Sequence, residues 1–138
     1  MKAIIVEDEQ LAASRLESLI KNCGNSIEIV TKLESVEESV NWFKSNPHPD
    51  LIFLDIHLED NLSFAIFNEV SVNCPIIFTT ATDELAIKAF VLKGIDYLHK
   101  PIVQDELNRM LQKYSNSETS TVKVIDAGYF SDMMNSKY

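Results

Sequence analysis

The residues with chemistry to offer stand where apolar runs end. Residues 51–54 read LIFL, and a carboxylate, Asp55, follows at once. The run KAIIV (2–6) gives way to Glu7, Asp8 and Glu9, PIIFTT (75–80) ends on Thr80, and IDYLHK (95–100) ends on Lys100 with Pro101 after it. If these runs are strands of an open parallel sheet, ligands bind outside their carboxyl ends, and carboxylates, a hydroxyl and an ammonium share one rim. Asp8 and Asp55 side by side would repel each other, and one pKa would rise unless a cation sat between them. Hard oxygen donors in an open cleft suit Mg²⁺, which takes one or two carboxylates and keeps several waters. A phosphoryl group on Asp55 would then meet the Lys100 ammonium on one side and the Thr80 hydroxyl on another. Carboxylates act as nucleophiles, and phosphoryl transfer needs mainly positioning and charge neutralisation. Taken singly, each residue has a plainer reading, as a helix cap, a strand threonine or a lysine before proline. The joint placement is what points to chemistry.

Five β-branched runs must hold these residues: 2–6, 27–33, 50–55, 75–80 and 95–100. They alternate with segments of helical period, which predicts α/β architecture, a doubly wound five-stranded parallel sheet with five helices. Their apolar residues are near-continuous, as strands covered on both faces require. Ala12, Leu16, Leu19, Ile20 and Cys23 recur at helical spacing, and Asn22 to Gly24 supplies a stop. Ser35 and Glu38 form a capping-box pattern ahead of Val36, Val40 and Phe43, with NPHPD closing that helix. A third helix is expected over about 63–72. A fourth starts at Asp83, carries Ile87, Phe90 and Val91, and ends at Gly94. A fifth spans about 103–114, with Leu107, Met110 and Leu111 on one side. The stretch SNSETST after Tyr114 has no apolar residue and reads as a linker, and the remainder to residue 138 holds one strand-like piece without a partner.

A length of 138 residues fits one domain, and a formal net charge of −9 opposes nucleic-acid binding by this segment. Cys23 and Cys74 lie far apart with no metal-ligand spacing, which favours free, buried thiols in a reducing, cytoplasmic setting. No signal-peptide apolar region is evident, and no run approaches the roughly 18 apolar residues of a membrane span, so no membrane partner is expected. His48, His57 and His99 share no ligand spacing, and Trp42 with Phe43 reads as helix packing.

The ordered set IIVEDE, LIFLDIHL, IIFTTA and DYLHKP resembles the receiver domain of two-component response regulators, over about residues 2–114. The resemblance implies a flavodoxin-like sheet of order 2-1-3-4-5, with residues 1–114 as the receiver and 115–138 as a linker or tail, either the start of an effector domain missing from this chain or the tail of a single-domain regulator. It implies that Asp55 accepts a phosphoryl group from the phosphohistidine of a sensor histidine kinase. Mg²⁺ would be held by Asp8, by Asp55, by the backbone carbonyl of His57 and, through water, by Glu7. Thr80 resembles the switch hydroxyl, Tyr97 the switch aromatic and Lys100 the phosphoryl-contacting lysine, with the peptide before Pro101 cis. Phe90 lies on the face of the fourth helix, fifth strand and fifth helix, which changes with phosphorylation and offers a homodimer surface. Such a domain is a signalling phosphoacceptor, not an enzyme in the ordinary sense, with self-phosphorylation and slow autodephosphorylation. The wording FTTATDELAIKAF and GIDYLHKPI is most similar to LytTR-type regulators, which would contact DNA only through an effector domain and so control transcription. The sequence departs from the family in LEDNLSF, where Glu59 and Asn61 replace the usual Pro and Gly. His57 and Thr82 occupy positions that influence hydrolysis in this family.

Two rivals share parts of the pattern. An FMN-binding flavodoxin-like module needs a Ser, Thr and Gly-rich phosphate loop where this chain has Glu7, Asp8 and Glu9. A haloacid-dehalogenase-like phosphatase places a second Asp two residues after its nucleophile, and here that residue is His57.

Overall fold

The computed structural model describes residues 1–24, 27–81 and 96–115. Five strands, β1 (Lys2–Val6), β2 (Glu28–Leu33), β3 (Leu51–Asp55), β4 (Ile76–Thr80) and β5 (Tyr97–His99), form one sheet. Its order is β2-β1-β3-β4-β5 with every pairing parallel. Around it lie α1 (Gln10–Lys21), α2 (Val36–Ser45), a 3-10 turn (Ser63–Ala65) running into α3 (Ile66–Glu69), and a C-terminal helix (Gln104–Ser115). The fourth helix expected from the sequence, with Ile87, Phe90 and Gly94, lies outside the described residues, as does Thr82 and everything after residue 115.

Side chains alternate across each strand, so β1 sends Ile4 and Val6 to one face and Ala3 and Ile5 to the other. The first face packs on Val40 and Phe43 of α2 and on Ile66 and Phe67 of α3. The second packs on Leu16 and Ile20 of α1 and on Leu107 and Leu111 of the C-terminal helix. Every residue of β3 and β4 is buried, whereas β2 is half exposed because it is an edge strand. A register shift opposite Ala3 and Ile4 leaves Val30 out of the ladder and 42 % exposed.

Local signals act largely as the sequence implies. The Ser35 hydroxyl accepts from Glu38 N–H at 3.0 Å, while the Glu38 carboxylate reaches back one residue further than in the usual box, to Glu34 N–H at 2.8 Å. Gly24, just past α1, has φ +72°, a conformation natural to glycine after a helix. Several expectations need correction. The third helix stops at Glu69, not near residue 72, because Val70 turns extended and Val72 enters the core instead. β5 covers three residues rather than the six of 95–100. On α1 the fully buried alanine is Ala13, not Ala12, and Cys23 is only half-buried.

Candidate functional site

The ladder hydrogen bonds continue one residue past the strand ends and fix the rim. Glu7 N–H donates to Leu33 O at 2.8 Å, Ile56 N–H to Thr79 O at 3.1 Å and Lys100 N–H to Thr80 O at 2.7 Å. Asp55 is the last residue of β3 and continues the face of Leu51 and Phe53. From β5's end, Lys100 extends its ammonium to both acids: Nζ donates to Glu7 Oε1 and, at 3.2 Å, to Asp55 Oδ2. Glu7, Asp8 and Asp55 each offer an oxygen within 4.8 Å of the others. Glu7 and Asp55 are buried and Asp8 is partly exposed, so the cluster opens to solvent on one side.

Electrostatics follow from that crowding. Burial raises the Glu7 carboxyl above its ordinary value and the Asp55 charge adds to the rise, while the hydrogen bond from Lys100 opposes it. Asp8 is likewise raised, by burial first and then by its neighbour Glu7. Burial alone would lower Lys100, but its bonds to Glu7 and the charge of Asp55 win and raise it, so it stays an ammonium. Three carboxylates against one ammonium leave two negative charges uncompensated when all are ionised. That donor set, all hard oxygen, converging and open to solvent on one side, fits a small dication.

Other residues fall into place unevenly. Thr80 is fully buried in the strand beside Asp55, and Asp55 itself stands opposite Thr79 in the ladder. Tyr97 sits at the far end of β5 from Lys100, half-buried and packed against the face that α2 and α3 cover. The Lys100–Pro101 peptide is cis. His57 is exposed, and its N–H points at Asp55 Oδ1 at 3.4 Å. Phe90 lies outside the described residues. One residue that the sequence reading passed over is Asp60, which hydrogen-bonds both Val36 N–H and Glu37 N–H at the start of α2. An Asp beside Asn in a polar loop was the only local sign.

The chain matches the model of the response regulator receiver domain over residues 3–112. It is 33% identical over 127 residues to sensory transduction protein LytT of Bacillus anthracis, covering 90% of this chain and 51% of that protein. It is 35% identical to LytR of Staphylococcus epidermidis over 137 residues, 91% of this chain and 54% of that one. The chain thus spans about half the length of these relatives. Among solved structures, the response regulatory domain of mrkE from Klebsiella pneumoniae superposes with a TM-score of 0.71 at 33% identity, over 85% of this chain and 97% of that chain. The sheet order, the acid cluster with its lysine, and these matches agree: the chain belongs to the response regulator receiver family, and it is similar to the LytT and LytR sensory transduction proteins.

Proposed function

We propose that Asp55 is the phosphoacceptor of this receiver, taking a phosphoryl group from the phosphohistidine of a sensor histidine kinase. The observation that carries the reading is Lys100 Nζ held between Glu7 and Asp55, 3.2 Å from the acceptor carboxylate, at the mouth of a cluster with excess negative charge. In the transfer, an Asp55 oxygen forms the new O–P bond as the donor's P–N bond breaks and the imidazole departs. Asp8, Asp55, the His57 carbonyl and, through water, Glu7 would hold Mg²⁺, which supplies the charge neutralisation that lets a phosphoryl group approach three carboxylates. Lys100 then exchanges part of its pairing with Asp55 for the phosphoryl oxygens. The buried Thr80 hydroxyl, on the adjacent strand, turns toward them, and Tyr97 shifts into the space released.

The switched face is that of β5 and the C-terminal helix, together with the segment around Phe90 that lies outside the described residues, and it also serves a homodimer. In the full protein, residues 115–138 lead from the receiver, residues 1–114, into a DNA-binding effector in the cytoplasm. The half-length match to regulators, one of which is called transcriptional regulatory protein LytR, supports that arrangement. No helix among the described residues is long and apolar enough to cross a membrane.

Intact mass after incubation with Mg²⁺ and a small phosphodonor tests the reading. Wild type should gain one phosphoryl group, and Asp55→Asn none. A gain that persists in Asp55→Asn, or that forms equally in excess chelator, would refute it.

A further inference from the structure

We propose that Asp60 is a positioning residue that staples the phosphoacceptor loop to the N-terminus of α2 and thereby sets how fast Asp55 takes up a phosphoryl group. The inference rests on Asp55 as acceptor and adds a residue that lies outside the acid cluster. Six contacts form a continuous chain. Asp60 Oδ1 accepts from Val36 N–H at 2.9 Å and Oδ2 from Glu37 N–H at 3.1 Å, so one carboxylate spans the first two amides of a helix 24 and 23 residues earlier. Its own loop is closed at the base: His57 bridges Leu62, Leu58 N–H donates to Asn61 O at 3.1 Å, and Ser63 N–H donates to Ile56 O at 2.9 Å. A loop closed at its base and anchored at its tip has its orientation set by the anchor. The base in turn touches the acceptor, since His57 N–H lies 3.4 Å from Asp55 Oδ1.

The anchor is made for a carboxylate. The first amides of a helix lack intrahelical acceptors and carry partial positive charge, so an anionic oxygen pair satisfies two of them at once. The hydrogen bonds from Val36 and Glu37 hold the Asp60 carboxyl below its ordinary value despite some burial, so it remains ionised at neutral pH. Ser35 accepts from the next amide, Glu38 N–H, from within α2's own segment and has no bond to the loop. The two caps share a helix end, and only one of them holds the acceptor loop.

That division supplies the control. Self-phosphorylation is followed by intact mass with phosphoramidate and Mg²⁺, where the Asp55 oxygen bonds phosphorus as the P–N bond breaks and ammonia leaves. Asp60→Ala should slow uptake by about threefold to tenfold, because small displacements of a reacting group are costly. Asp60→Asn keeps one acceptor oxygen and should fall between, a partial rescue that also serves if Asp60→Ala fails to give a cooperative melt. Ser35→Ala, which loses a cap on the same helix without releasing the loop, should phosphorylate at the wild-type rate. Unchanged rates in both Asp60 variants, or equal slowing in Ser35→Ala, would overturn the proposal and leave Asp60 a structural cap. If wild type itself takes no phosphoryl group, the assignment of Asp55 fails and this inference falls with it, whereas a normal wild type with unaffected Asp60 variants sinks the inference alone.

Discussion

Asp8 is the residue at which chemistry and stability pull apart. It sits partly exposed beside a buried Glu7 that already engages the single ammonium among the four groups. Both carboxyls bind protons more tightly folded than unfolded, their ordinary values being 3.8 and 4.5. Between those values and the raised folded ones, the folded state holds more protons, so without metal the stability falls as pH climbs through that window toward neutrality. Asp8→Asn should remove part of the penalty. In chelator at pH 7 the variant should be more stable than wild type by up to about 1 kcal/mol, the usual upper size of a charge–charge contact that solvent reaches. The advantage should vanish near pH 3, where the wild-type carboxyl is protonated in both states. Denaturant melts at the two pH values check it, and a variant less stable at pH 7 would show Asp8 acting as a structural cap.

Among the elements, the last turn of the C-terminal helix is tied back to the start of β5 through Asp96. Tyr114 OH donates to Asp96, the residue just before β5, and Lys113 Nζ reaches the other oxygen of the same carboxylate at 2.9 Å. Burial, reinforced by the Asp96 charge, pushes the Tyr114 hydroxyl well above the usual tyrosine range, so it is a neutral donor at any physiological pH. Tyr114→Phe keeps the ring and removes only that bond. Thermal unfolding should show a loss of about 1 to 2 kcal/mol, toward the upper end for a bond to a charged acceptor. Far-UV circular dichroism should remain helical, because Leu107 and Leu111, both fully buried, hold the rest of the helix to the sheet. An unaltered melting temperature would mean that the Asp96 pairing is not maintained in solution.

For the whole molecule, charge sets both its ligand response and its partners. A dication that binds only the folded cluster stabilises by mass action, about 2.7 kcal/mol at a hundredfold excess over its dissociation constant. Wild type should therefore melt higher in Mg²⁺, and Asp8→Asn should barely respond. With a net charge of −9 the chain repels phosphate backbones, so residues 1–138 alone should not retard a DNA duplex at moderate salt. Specific retardation would place a DNA-reading surface within this chain.

Much of this was legible in the residues because it depends on neighbours along the chain. Continuous apolar runs mark strands covered on both faces, and β1, β3 and β4 are so covered. Ser35 and Glu38 lie three apart and cap α2 as local geometry dictates. The ordered motifs announced Asp8, Asp55 and Lys100 as one rim, and the sheet does gather them. Tertiary structure decided what sequence distance hides. Lys100 pairs with Glu7 as well as Asp55 across 93 and 45 residues, and Asp60 caps a helix that begins two dozen residues before it. The third helix ended early because Val72 was better buried in the core than continued in a helix, and Ala13 displaced Ala12 from the interior of α1. Such choices are made by packing and by unsatisfied amides seeking acceptors in space, and neither leaves a periodic mark on the chain.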